Sequence, residues 1–421
     1  MSADAGGVVA SASDPEEPPA SASTLAALGD RNFFPYFVGN LLSSCGTWFH
    51  NIAQTLFVYR ATGSVFLVGV VNLCQFASVF LLGAKAGVAA DVVDRRRLLL
   101  TTQVASAAIS GVLALLAGSG HLTVPVMVVA ALALGVAHTF STPAMLALVP
   151  QLVEPVNLGP AVALNIVTLN VARAIGPVLG ALVVDQLGIP AAFGLNALSF
   201  TALIVGLLIV VPRPTPLRDR SIPLRLRDTM RGIRRRPELM VLFIAGTCAS
   251  MTIDPVNTLS PGFATDVFHR PDTLVGWLVG AFGFGAVVAG VTVSRQPHAD
   301  DRVIAHRIGL LVLAFVVFAA TSYLPIALIA LAVAGFAYIA STAAALTRVQ
   351  HSTDPGEHGR MTALWSMAFM GSRPIASVID GGVASWTNVR VATWLMVLPA
   401  VFGGWLLLAR SRADAIAQPA A

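Results

Sequence analysis

Charged side chains are scarce in this chain of 421 residues. Asp, Glu, Lys and Arg together make up 11% of it, whereas hydrophobic residues make up 56%. An ordinary soluble domain carries about 25% charged residues. The composition therefore argues against a water-soluble enzyme and indicates a protein whose solvent is the lipid bilayer.

Cysteine and the residue patterns that hold metals are also sparse. The three cysteines, Cys45, Cys74 and Cys248, all fall within apolar stretches, so we expect no disulfide framework. The sequence shows no metal-ligand spacing and no clustered nucleophile or acid–base set. We therefore expect no metal, no cofactor and no enzymatic activity.

Long apolar runs are abundant instead. About twelve of them approach the length, roughly 20 residues, that crosses the hydrocarbon core as a helix. They lie near residues 34–58, 66–89, 98–118, 123–147, 160–184, 190–211, 238–262, 273–294, 305–324, 326–346, 361–386 and 391–410. We predict an all-α membrane protein with twelve transmembrane helices.

Basic residues are distributed unevenly over this topology. The outer loops hold only Arg60, Arg270 and Arg390, while Lys85, Arg173 and Arg373 lie within or at the edge of spans. The remainder of the 26 Lys and Arg residues fall in inner segments. Because positive charge accumulates on the cytoplasmic side, we predict a multi-pass protein of the cell membrane (plasma or inner) with both termini cytoplasmic. The same distribution argues against nucleic acid as a partner.

The hydrophobic pattern divides the chain into two six-helix bundles. The predicted order is a disordered cytoplasmic tail at 1–30, a bundle at 31–211, a basic cytoplasmic linker at 212–237, a bundle at 238–412 and a tail at 413–421. Residues 1–30 lack the basic start and apolar run of a signal peptide. In the linker, Leu224, Leu226, Met230 and Ile233 are spaced as one face of a short amphipathic helix.

The turn between the second and third spans concentrates charge at the membrane surface. Its residues of interest are Gly87, Asp91, Asp94, Arg95, Arg96 and Arg97. Gly87 permits close helix approach, and Asp91 can accept hydrogen bonds from a helix N-terminus or pair with an arginine in one conformation only. We interpret the turn as a gate; a plain loop with inward positive charge is the alternative.

The fifth span carries a second motif, formed by Arg173, Gly176, Pro177 and Gly180. Proline leaves one backbone carbonyl without its usual partner and bends the helix, while the two glycines flatten a face for close packing. A pivot is one interpretation and an ordinary kinked helix is the other.

Polar groups inside the spans are candidates for function, because ionisable side chains in hydrocarbon are costly. Asp254 and Asp380 can take up a proton or serve as static partners of an arginine. Arg173 and Arg373 occupy matching depths and require an anion, either an aspartate that locks the halves together or a carboxylate or catecholate of a substrate. His50, Asn51, Gln54, Asn165 and Asn170 are candidate cavity residues that can bind substrate or neighbouring helices.

Together these motifs resemble the major facilitator superfamily, and within it the twelve-span exporters of drugs and siderophores. The charged turn resembles the loop between helices 2 and 3 of that superfamily, with Val92 where a basic residue is usual, and Gly176-Pro177-x-x-Gly180 resembles the fifth-helix signature of its proton-coupled exporters. The resemblance implies two pseudo-symmetric bundles and export of a small amphiphilic molecule driven by the proton gradient. Expected partners are this substrate, protons and lipid, with the chain a monomer. An uptake symporter and a non-transporting sensor or assembly protein remain alternatives.

Overall fold

A computed structural model describes residues 26–213, 226–293, 300–353 and 358–417. Within these ranges the regular secondary structure is helical and no strand occurs. Nine helical stretches of the described chain are long and apolar enough to cross a membrane. An apolar helix satisfies its own backbone hydrogen bonds, which is what lipid requires of a spanning segment.

The N-terminal half crosses the membrane six times with five helices. They are α1 (Phe33–Thr62), α2 (Val65–Val92), α3 (Arg95–Gly118), α4 (Val124–Leu152) and α5 (Leu158–Ile209). Short 3₁₀ turns precede α1 (Ala26–Gly29) and α5 (Pro155–Asn157). Helix α5 is bent at Gly188, whose φ of 84° belongs to the left-handed region, so its two arms make two crossings.

The C-terminal half makes six crossings with more interruptions. The short helix α6 (Leu226–Arg234) leads into α7 (Pro237–Thr252), α8 (Pro255–Thr258), α9 (Ser260–Gly262) and a π-helical turn (Phe263–Val267), which together make the seventh crossing. The others are α10 (Leu274–Val293), α11 (Asp301–Ala320), α12 (Leu324–His351), α13 (His358–Trp386), and α14 (Val389–Met396) with α15 (Leu398–Ala417).

The predicted all-α fold with twelve spans is confirmed, and the differences concern the ends of elements. The spans predicted at 160–184 and 190–211 form one kinked helix, because Gly188 turns the chain without a loop. The predicted tails overlap structured residues at 26–29 and at 413–417, since α15 continues to Ala417. The predicted linker helix is α6, in which Ile233 is buried and Met230 exposed; Leu224, like residues 1–25, lies outside the described residues.

Each half has its own helix packing, and two helix pairs join the halves. In the first half α1 packs on α5 and α2 on α4; in the second α10 packs on α12 and α11 on α15. Between the halves α2 packs on α13 and α5 on α10. These two pairs are related by the internal repeat, because α2 corresponds to α10 and α5 to α13.

The apolar cores show that the halves meet on one side of the membrane only. We call the side with the Arg95–Arg97 turn, α6 and both ends of the described chain the basic side, and the opposite side the far side. On the far side one core is continuous across both halves, from Ile52 in α1 to Val397 after α14. On the basic side there are two separate cores, one in each half.

Polar contacts close the far side. Arg60 at the end of α1 makes a two-pronged ion pair with Asp272 before α10, at 2.6 and 2.8 Å. Tyr59 and Thr265 are hydrogen-bonded at 2.7 Å. On the basic side, a Cβ added to Gly83 or Gly87 of α2 would meet nothing within 4 Å. The structure is therefore closed on the far side and open on the basic side.

Candidate transport site

Asp254 lies at the break between α7 and α8. The following residue, Pro255, has no amide hydrogen, so the helix is interrupted there and restarts as α8. One oxygen of Asp254, Oδ2, accepts hydrogen bonds from the hydroxyls of Ser377 (2.6 Å) and Thr258 (2.7 Å). The carboxyl group is 3% exposed. Two hydroxyl donors thus replace the water that burial removes.

The N-terminal half also contributes to this cluster. The amide of Asn72 in α2 donates to the Thr258 hydroxyl at 3.3 Å, and Thr258 and Ser377 lie 3.1 Å apart. Our sequence analysis missed Asn72, Thr258 and Ser377. A spacing of four residues from Asp254 to Thr258 was the only available signal, because Asn72 and Ser377 belong to distant segments of the chain. We call Asp254, Thr258, Ser377 and Asn72, with Asp380, the carboxyl cluster.

Asp380 in α13 is fully buried. Both of its carboxyl oxygens lack a hydrogen bond within the described part of the chain. The Asp254 carboxyl and the Gly381 amide interact with it electrostatically, but neither reaches hydrogen-bonding geometry. An ionised carboxylate buried without a partner is strongly disfavoured.

Two arginines face the same region from opposite halves. Arg373 in α13 interacts electrostatically with Asp254, and Arg173 in α5 interacts with Arg373 and Tyr338. The sequence predicted an arginine–aspartate lock between the halves as one option for these cations. In this conformation the aspartate near Arg373 belongs to its own half, and the inter-half ion pair found among the described residues is Arg60–Asp272 on the far side.

The fifth-helix motif packs as its glycines predict. A Cβ on Gly176 would lie 2.7 Å from the Trp48 Cβ, and one on Gly180 would lie 3.1 Å from the Phe49 Cα. Only glycine therefore lets α5 approach α1 this closely. Pro177 frees the carbonyl of Arg173, and that carbonyl contacts Gly283 in α10, where a Cβ would collide with it. The motif thus shapes the contacts of α5 with both α1 and α10.

The polar residues of the first span form a chain of hydrogen bonds. His50 Nε2 contacts Gln54 Oε1 at 3.2 Å, Gln54 donates to Gln75 at 3.0 Å, and Gln75 donates to Asn51 at 3.2 Å. This chain of hydrogen bonds links α1 to α2. In this conformation these residues therefore bind a neighbouring helix, which is one of the two roles that the sequence left open. The Nδ1 atom of His50 is buried without a hydrogen-bond partner among the described residues.

The two asparagines of α5 have different surroundings. Asn165 accepts a hydrogen bond from Asn40 at 2.9 Å and is buried. Asn170 is half-buried and lies 3.8 Å from the position of a Cβ on Gly290. Asn165 therefore ties α5 to α1, whereas Asn170 lies next to α10.

The charged turn is held by hydrogen bonds from its side chains to backbone groups. Asp94 caps α3 by accepting from the Arg97 amide at 2.8 Å, Arg95 donates to the Ala90 carbonyl, and Arg96 donates to the Leu207 and Leu208 carbonyls at the end of α5. Asp91 forms no hydrogen bond or ion pair with any described residue. Gly87 likewise has open space beside it. In this open conformation the turn is anchored within its own half.

Two six-helix halves that enclose buried ionisable groups and open to one side define a membrane transporter. The family model described as "Transmembrane secretion effector" matches residues 22–416. The chain belongs to this family of the major facilitator superfamily, as its motifs predicted.

Curated relatives include exporters of several chemical types. The chain is 23% identical over 262 residues to the staphyloferrin A transporter of Staphylococcus aureus, covering 62% of this chain and 66% of that protein. It is 21% identical to macrolide efflux protein A of Streptococcus pyogenes, covering 65% and 68%. It is 26% identical to the enterobactin exporter EntS of Citrobacter koseri, covering 63% and 64%. The matches thus span about two thirds of these relatives.

Solved structures show the same fold at low sequence identity. A bacterial homolog of the human lysosomal transporter Spinster, in an inward-facing and unoccupied conformation, has a TM-score of 0.73 and 11% identity, covering 90% of this chain and 96% of that one. A POT family transporter has a TM-score of 0.74 and 10% identity, covering 93% and 99%. At these identities the likeness concerns the fold.

Proposed function

We propose that this chain exports a small amphiphilic molecule across the cell membrane in exchange for protons, by alternating access. One observation carries the proposal: a buried carboxyl cluster lies between halves that are closed on the far side and separated on the basic side. The relatives that transport staphyloferrin A, macrolides and enterobactin support the class of cargo.

Orientation follows from charge. The basic side carries most of the arginines and both ends of the described chain, so the positive-inside rule assigns it to the cytoplasm. The conformation described above is then inward-facing and ready to receive a cytoplasmic substrate. We infer that both termini are cytoplasmic. We also infer that the chain works as a monomer, and mass determination in detergent by light scattering tests this second inference.

Proton coupling is assigned to Asp254 and Asp380. Asp254 is solvated by two hydroxyls and lies near Arg373, so it tolerates ionisation, whereas Asp380 has neither support. Two neighbouring carboxyls disfavour the state in which both are ionised, which favours retention of a proton between them. Coupling requires that the two conformations bind this proton with different affinity.

The Asp91 turn is assigned to the opposite conformation. When the basic side closes, α2 must approach the C-terminal half, and the open surface at Gly83 and Gly87 provides room for this contact. Asp91 at the end of α2 is then available to a partner in the other half.

The testing experiment uses everted vesicles with an acidic interior that contain the purified protein. Lipophilic drugs and iron-chelator-like compounds are added outside, and both compound uptake and interior pH are recorded. An exported compound enters the vesicles and dissipates the gradient, in wild type and in the exposed control variant Arg412→Gln. Movement of a compound outwards with protons would indicate an uptake symporter. Absence of flux for every compound would support the sensor alternative and contradict the proposal.

A further inference from the structure

Arg173 is a half-buried cation without a countercharge among the described residues. It forms no hydrogen bond or ion pair with a carboxylate among the described residues, and its electrostatic neighbours are Arg373 and Tyr338. Arg373 differs because it lies near Asp254, but the Nε atom of Arg373 is buried without a hydrogen bond to a described residue. Two guanidinium groups that face each other repel unless an anion lies between them.

A third unused donor lies in the same place. The hydroxyl of Tyr338 in α12 is buried without a partner in the described chain, and the residue is 1% exposed. Its ring packs against that of Phe282 in α10, with centroids 5.9 Å apart. The next residue of α10, Gly283, contacts the Arg173 carbonyl. On its other side the Tyr338 ring stacks on Phe369, one turn before Arg373, at 5.6 Å. Tyr338 therefore lies between α13, which carries Arg373, and α10, which contacts the Arg173 carbonyl.

These rings belong to a longer aromatic wall. Phe369 stacks on Trp365 with centroids 6.3 Å apart, and Trp365 meets Phe243 edge-on at 5.4 Å. Phe243 and Trp365 are buried in the core of the C-terminal half, whereas Phe369 is partly exposed. Flat aromatic surfaces accept the apolar body of a ligand, so Phe369 is the ring of this wall that can receive it. A guanidinium group supplies only hydrogen-bond donors, and a phenol hydroxyl can donate its hydrogen as well. The anion that matches a guanidinium fork is a carboxylate or a group of the same shape.

We propose that the transported molecule is an organic anion, whose carboxylate or similar acidic group binds Arg173 with help from Arg373 and the Tyr338 hydroxyl, and whose apolar part lies on the aromatic wall. The inference rests on the proposed export function and specifies its substrate class. It is compatible with ionisation of Asp254, because that carboxylate is near Arg373 and leaves the charge of Arg173 unbalanced.

The test measures binding in lipid nanodiscs with three probes that share one apolar body: pyrenebutyrate, pyrenebutanol and pyrenebutylamine. Energy transfer from tryptophan to pyrene is corrected with empty nanodiscs. We expect pyrenebutyrate to bind about tenfold or more tightly than the alcohol, because hydrogen bonds to charged groups are stronger than neutral ones. The amine should bind most weakly.

Variants locate the effect. Arg173→Gln should abolish the preference for the anion while leaving binding of the alcohol unchanged, and Arg173→Lys should retain part of the preference because it keeps the charge. Tyr338→Phe should weaken only the anion, by a few-fold. The exposed Arg412→Gln serves as the matched loss of charge, and thermal unfolding of each variant checks that it is folded.

Three outcomes would overturn the inference: equal or tighter binding of the alcohol or amine, a preference that persists in Arg173→Gln, or no saturable binding of pyrenebutyrate at millimolar concentration. Vesicle flux separates this failure from failure of the export proposal. A protein that exports neutral or cationic compounds retains the proposed function and refutes the anion. A protein that prefers the anion but moves no compound refutes export alone.

Discussion

The two buried carboxyl groups of the C-terminal half differ in their protein environment. Asp254 accepts hydrogen bonds from two hydroxyls and lies near Arg373. Asp380 is fully buried beside it and has neither a hydrogen bond nor an arginine partner among the described residues. Residues of one chemical type therefore acquire different roles from their neighbours. At this scale the proposed proton coupling depends on atoms within hydrogen-bonding distance.

Neutralising Asp254 tests its role as a proton carrier. We expect Asp254→Asn to lose gradient-driven transport and to keep substrate exchange, because Asn retains an oxygen for Ser377 and Thr258 but cannot take up a proton. Asp185→Asn, at an exposed far-side position, should leave both activities intact. Paired flux assays with and without a pH gradient measure this. Driven transport that survives in the Asp254→Asn, Asp380→Asn double variant would exclude the cluster from coupling.

The far-side ion pair tests what stabilises the conformation that is open on the basic side. The Arg60 and Asp272 side chains are 42% and 14% exposed, and pairs exposed to solvent contribute about 0.2–1 kcal/mol. Asp272→Asn should therefore shift the ratio of inward- to outward-facing molecules by about fivefold or less. Electron–electron distances between spin labels at the exposed Arg97 and Arg412 report the shift. Arg270→Gln, which removes a nearby exposed charge, should leave the distances unchanged.

At the scale of whole helices, glycine controls how closely α5 approaches its neighbours. Gly176 and Gly180 contact Trp48 and Phe49 in α1, and the carbonyl released by Pro177 contacts Gly283 in α10. In a membrane, close packing of this kind drives helix association, since burial from water contributes little there. Pro177 thus contributes to the packing between the halves, because the carbonyl that it releases contacts Gly283.

Adding one methyl group to this interface should destabilise the protein. Gly176→Ala places a Cβ 2.7 Å from that of Trp48, and overpacking of this kind costs about 1–3 kcal/mol. Thermal unfolding in detergent should occur at a lower temperature than in wild type. Gly111→Ala in α3 meets nothing within 4 Å and should be neutral or slightly stabilising, because alanine favours helix. Equal unfolding temperatures for the two variants would contradict the packing argument.

The whole molecule has one shared core on the far side and two separate cores on the basic side. This asymmetry defines a conformation that is closed on the far side and open on the basic side. Asp91 forms no hydrogen bond or ion pair with a described residue, and a Cβ added to Gly83 or Gly87 would meet nothing within 4 Å. In the proposed cycle these positions become relevant when the basic side closes.

A bulky residue at the open surface should block the cycle without affecting the fold. Gly87→Leu adds a side chain where nothing lies within 4 Å, so we expect wild-type thermal stability, binding of substrate from the cytoplasmic side and loss of transport. Gly159→Ala, at another position with open space, is the control. Wild-type flux in Gly87→Leu would show that α2 does not close against the other half at this point.

Much of the fold followed from the sequence because hydrophobic length and charge asymmetry are properties of single segments. The twelve spans, their family and the identity of Asp254, Asp380, Arg173 and Arg373 as unusual residues were all accessible in this way. Asn72, Ser377 and Tyr338 were not, since an Asn, a Ser or a Tyr in an apolar span is common and carries no local signal.

The sequence by itself determined that this chain crosses a membrane many times as helices, because bilayer thickness and the positive-inside rule act on each span separately. Only the tertiary structure decided which polar groups meet. It placed Ser377 and Thr258 on Asp254 and left Asp380 without a hydrogen bond to any described residue. It also brought Arg173 near Arg373, with no ion pair to a carboxylate in the described part of the chain. The reason is physical: these contacts join segments far apart in the chain, so helix packing alone determines whether each buried charge has a partner.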